Sequence, residues 1–148
     1  MRRQQLLVWA AWLVYVAAWF LPVVKEGVTL PDGLPGWQAF RVAASAVWPI
    51  PDVNIDTWYK AVLFTISAIT TLLFFPVSVW AVRSGSRVLR RAAAWIATFA
   101  FVVNAHWYVL YGGSAREDLR IGYFLWWLSF LLVALGLFDL PRRERSKQ

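Results

Sequence analysis

The chain has one histidine, His106, and it stands two residues after Asn104 inside an otherwise apolar run. These are the only strongly polar side chains set well inside such a run, and intramembrane polar groups are functional candidates by default. An imidazole there could relay a proton or ligate a metal or haem iron. Two positions apart on a helix, however, the side chains point about 200° away from each other. The spacing therefore predicts that they do not share one small site: Asn104 bonds a neighbouring helix, and His106, beside Trp107, lies at interface level or bonds a carbonyl.

Asp52, Asn54 and Asp56 imitate the first three ligand positions of a calcium loop. The sixth position, which needs glycine, is Thr57, and the twelfth, which needs glutamate, is Leu63. Asp56 reads instead as the cap of the following helix. With no cysteine there is no disulfide, thiolate metal site or redox pair. No phosphate loop or dinucleotide fingerprint occurs. The residues predict a protein that is not an enzyme and holds no metal or cofactor.

The elements that carry these residues are read from the gaps between charges. Of 148 residues 60% are hydrophobic and 16% charged, against about 45–50% and about 25% in a soluble domain. Four stretches, 6–24, 61–82, 92–115 and 121–138, carry no formal charge, and about 20 residues span the ~30 Å hydrocarbon core. Lipid supplies no hydrogen-bond partners, so such runs are helical unless they close a barrel, and the alternation of barrel strands is absent. The expected fold is an all-α antiparallel four-transmembrane-helix bundle forming one domain. Its spans are about 6–24, 59–82, 92–112 and 116–139, with a loop over 25–57 and a basic tail over 140–148. The first span runs on through Trp19, Phe20 and Val24, beyond the ~7–15-residue core of a signal peptide, and is read as retained.

Charge sets the orientation. The amino terminus, the middle connection and the tail hold ten basic and two acidic residues, +8; the other two connections hold five basic and six acidic, −1. By the positive-inside rule both termini are cytoplasmic, as in a bacterial inner membrane protein. The overall +7 is then a topology signal and not a nucleic-acid surface.

The long first loop opens on the turn residues Pro31-Asp32-Gly33. Trp37, Phe40, Ala44, Val47 and Trp48 then recur at helical steps, predicting a short amphipathic helix at the outer interface, stopped by Pro49. In the second loop Gly112-Gly113 suits a helix exit, and Ser114 with Glu117 matches a capping box. Pro76 is expected to kink the second span, with Ser78 or Thr71 available to the freed carbonyl of Leu72.

Small residues mark the helix seams. Gly122, Ser129 and Gly136 are seven apart on the fourth span; Ala93, Ala97 and Ala100 lead to Asn104 on the third; Ala10/Ala17 and Ala11/Ala18 recur on the first; Ser67, Thr71 and Ser78 share a face of the second. Such stripes let membrane helices approach closely, and that of the fourth span is also a candidate contact for another subunit. Several of the 11 tryptophans fit interfacial belts, while Tyr123, Phe124, Trp126, Trp127 and Phe130 offer a deeper aromatic surface for packing, or for a flat ligand or lipid tail.

Four spans with inside termini and a long first outer segment resemble the claudin layout. Gly33-Leu34 is followed by Pro35 where that family has tryptophan, and its paired cysteines are missing, so the likeness is one of layout. The function expected is that of a non-catalytic accessory or interaction subunit, with the lipid bilayer and another membrane protein or a second copy as partners. The alternative is a homo-oligomeric channel or a carrier of small solutes or lipid, lined by Ser67, Thr71 and Asn104.

Overall fold

The computed structural model describes residues 3–25, 33–50, 57–110 and 117–139. The calcium-like triad at 52–56, the glycine exit and capping serine at 112–114 and the basic tail lie outside them. Helices dominate: α1 (Arg3–Phe20), α2 (Gly36–Ala43), α3 (Trp58–Arg83), α4 (Arg87–Asn104), α5 (His106–Leu110) and α6 (Ile121–Asp139). Three stretches, Trp58–Arg83, Arg87–Val109 and Ile121–Phe138, are long and apolar enough to cross a membrane, and α1 supplies a shorter apolar helix. Their length and composition are consistent with an integral membrane protein.

The helices pack in the order α1, α6, α4, α3. Backbones come close between α1 and α6 because the facing residues are small. Ala11 and Ala18 are buried on α1, while Ala10 and Ala17 are not; Gly122, Ser129 and Gly136 are all buried on α6. A Cβ at Gly122 would lie 2.7 Å from the carbonyl oxygen of Pro22 and 2.8 Å from that of Leu21. The α6 stripe is thus taken up within the chain, and a second subunit would have to meet other surface.

Helices α1 and α3 touch mainly through long side chains. Trp12 Nε1 donates to Ser78 Oγ at 2.9 Å, Tyr15 Oη donates to the Thr71 carbonyl at 2.6 Å, and the Tyr15 ring stacks on Phe74 at 4.2 Å. These rings prop the two helices apart. Pro76 stands inside α3 without ending it. Ser78 and Thr71 bond the carbonyls of Phe75 and Ser67, so neither reaches that of Leu72.

The all-α expectation misses a small ribbon. β1 (Pro22–Val24) pairs antiparallel with β2 (Leu34–Pro35), entered through Gly33, whose φ of 78° favours a residue without a Cβ. Val24 also bridges Leu119, with Lys25 N donating to the Asp118 carbonyl and Arg120 N to that of Val23. Glu117 and Asp118 are helical, but the bridge at Leu119 breaks the helix there, so continuous helix begins at Ile121 and not near 116. This pairing also ends the first helix at Phe20, although the apolar run continues to Val24. The amphipathic helix is α2 plus one 3-10 turn, Ala44–Ala46. At the other end α3 and α4 are joined through Gly85, φ 64°, and Ser86 caps α4 by accepting from Leu89 N.

Candidate functional site

The side chains that prop α1 from α3 do so over only part of their length. Toward the ribbon, Tyr15 and Trp12 give way to Ala18, too small to fill the gap to Ser67. What remains is a chamber of about 390 Å³, within the about 300–1,000 Å³ range of small-molecule sites. Its floor is Thr71, whose carbonyl accepts from Tyr15 Oη. Its walls are Trp19, Ser67, Trp107, Tyr123 and Trp126, and its roof is Val23, Val24 and Leu34 of the ribbon with Ala39, Phe40 and Ala43 of α2. Gly36 lets α2 seat there, since a Cβ would run into the Ala18 carbonyl oxygen and lie 2.8 Å from Trp19 Cα. Phe40 packs on Trp19 at 5.4 Å.

The hydroxyls of the wall are hydrogen-bonded within the protein. Ser67 Oγ accepts from Trp107 Nε1 at 3.2 Å, Thr71 Oγ1 donates to the Ser67 carbonyl, and Tyr123 Oη donates to the carbonyl of Asn104 at 3.1 Å. None of the buried polar atoms left without a partner belongs to a wall residue. The chamber therefore presents mainly hydrocarbon and aromatic surface, suited to an apolar guest.

Asn104 and His106 support this wall from behind. Asn104 is fully buried, its Nδ2 donating to Thr70 Oγ1 on α3 at 3.1 Å and to the Ala100 carbonyl at 2.8 Å. His106 is buried too, with Nδ1 2.8 Å from the Val103 carbonyl. The 200° separation expected of a regular helix does not put one of them outside, because the helix is interrupted between them. At Ala105 the bonding tightens to three-residue steps, Ala105 N to Val102 O and Tyr108 N to Ala105 O. Side chains take over the Val103 and Asn104 carbonyls there, as helices in an apolar medium require. Neither side chain lines the chamber, and Asn104 Oδ1 and His106 Nε2 have no partner. Among the described residues no three of His, Cys, Asp or Glu cluster to hold a metal.

Of the deep aromatic surface read from the sequence, only Tyr123 and Trp126 reach the chamber. Trp127 turns to α4, stacking on Phe101 at 4.7 Å and donating to its carbonyl; Phe130 is core and Phe124 half exposed. Of the outer segment, Phe40 lines the chamber, while Trp37 and Trp48 are exposed, Trp48 under the Arg41 guanidinium at 5.3 Å. Ala97 and Ala100 are buried and border a much smaller void. The ribbon, Ala18, Leu34, Ala39 and Ala43 were missed as site residues; the run of small residues at 36, 39 and 43 was the one available signal. Comparison with protein-family models, with curated proteins and with solved structures gives no match.

Proposed function

We propose that this chain is a tetraspan protein of a bacterial inner membrane that works without catalysis, as an accessory subunit, by holding an apolar molecule in the chamber. The four spans are α1, α3, α4 with α5, and α6. The charge asymmetry of the connections supports cytoplasmic termini, which places the ribbon and α2 on the outer side. The exposed rings of Trp9, Trp58, Trp80 and Trp95 provide apolar surface for lipid or for a neighbouring membrane protein.

The observation that carries the reading is the chamber itself. Apolar cavities do not hold water, because water there finds no partners, and bare walls forgo dispersion contacts. The chamber is partly open to its surroundings, so an apolar molecule can reach walls that water wets poorly. A space of this size is thus best kept filled by a guest. The hydroxyls a conducting path would need are engaged, that of Ser67 by the Trp107 indole and that of Thr71 with a backbone carbonyl, which favours binding over the channel alternative.

Thermal unfolding of delipidated protein in detergent, titrated with lipid extract of the native membrane, tests the proposal. A guest that binds only the folded chain raises the melting temperature with concentration. The rise should be lost in the filling variants Ala39→Phe and Ala43→Phe, each melting at least as high as delipidated wild type. An equal rise in all three proteins contradicts a guest in the chamber.

A further inference from the structure

We infer that the guest is one hydrocarbon chain of an outer-leaflet lipid, inserted methyl end first, with its polar end left at the level of the ribbon. The inference rests on the apolar-binding reading above and adds the chemical class of the guest.

Depth is the first argument. Helix α3 has 26 residues, about 39 Å at 1.5 Å each, so a hydrocarbon core of ~30 Å leaves ~4–5 Å of helix beyond it at each end. Thr71 lies 13 residues after Trp58, about 20 Å down the helix and hence ~15 Å below the hydrocarbon boundary, half of the ~30 Å core. The floor at Thr71 therefore sits at the depth where the chains of one leaflet end. Below it Trp12, Phe74 and Phe75 close the α1–α3 seam. The chamber runs through one leaflet and stops.

Chemistry is the second. A ring bearing carbonyls or hydroxyls would bury them against walls whose hydroxyls are already bonded, and unpaired buried polar groups are costly. An alkyl chain brings none. Its polar head, kept outside, meets the side where Lys25, Arg41 and Arg120 are exposed.

Photolabelling tests the inference with the full chain reconstituted in phosphatidylcholine vesicles. One arm carries phosphatidylcholine with a diazirine at the methyl end of a chain, a second the diazirine on the head group, a third a free fatty acid with the same methyl-end diazirine, and a fourth a photoreactive benzoquinone. Labelled residues are identified by mass spectrometry of peptides. The methyl-end phospholipid should label Thr71 and the Tyr123–Trp126 stretch, the head-group reagent should not, and Ala39→Phe should abolish that labelling while lipid-facing Leu72 stays labelled. Labelling of Leu72 alone, or chamber labelling by the fatty acid and not by the phospholipid, overturns the inferred source. Chamber labelling by the quinone alone overturns the chain and leaves the apolar-binding function standing. Failure of every reagent to label the chamber overturns both.

Discussion

The phenolic hydroxyl of Tyr123 donates a hydrogen bond of 3.1 Å to the backbone carbonyl of Asn104, 19 residues earlier. It ties the chamber wall to the interruption of the α4–α5 helix, since that carbonyl is one the tightened turn at Ala105 releases. The interruption and the wall are then one structural unit, and damage to the bond should register as lost stability.

Tyr123→Phe removes the donor and keeps the ring. A buried carbonyl left unpaired costs about 1–3 kcal/mol, so the variant should melt below wild type in detergent while still showing the lipid-dependent rise. A melting temperature equal to wild type would mean that the bond does not hold the break.

Asn104 and Thr70 form the cross-helix pair between α4 and α3. Bonds of this kind between membrane helices average about 0.6 kcal/mol and reach about 1.7. Asn104→Leu, Thr70→Val and the double variant form a cycle whose coupling should fall in that range. Because Asn104 Oδ1 is buried without a partner, removing both partners should cost little. Loss of folding in the double variant would contradict this.

Gly122 faces the backbone of Leu21 and Pro22, where no side-chain rearrangement can make room. Gly122→Val should therefore cost at least the about 1–3 kcal/mol typical of overpacking. The half-exposed Leu128 provides the contrast, and Leu128→Ala should change little. Both are read as thermal unfolding of the protein in detergent. Equal melting of the two variants would show that α6 and the Leu21–Pro22 backbone are not so closely apposed.

The absence of native cysteine makes the orientation directly readable. In intact cells a membrane-impermeant maleimide should label Trp48→Cys, on the exposed edge beside α2, and leave Ser86→Cys, at the start of α4, unlabelled until the cells are opened. The reverse pattern would invert the topology and move the chamber to the inner leaflet.

What could be read from the sequence follows from how local each cause is. Runs without charge fix helices by themselves, and small residues at seven-residue spacing mark seams because a helix repeats nearly that often. The ribbon is different: Pro22–Val24 continues the apolar run of α1, and only its partners at 34–35 and 118–120, far along the chain, turn it into a strand. The same pairing interrupts the expected early start of the last helix between Asp118 and Ile121. The angular argument about Asn104 and His106 assumed one unbroken helix, and no proline or glycine announces the interruption at Ala105. The chamber was least legible. It arises where Tyr15 on α1 is followed one turn later by Ala18, opposite Ser67, and which residues face one another is a property of packing.

The central claim is tested most directly by native mass spectrometry of the chain released from detergent micelles after purification from its own membranes. Wild type should retain one lipid adduct per chain at activation energies that strip all others, and Ala39→Phe should fly bare. Bare wild-type chain, or an adduct held equally by both proteins, would contradict a chamber that works by holding a guest.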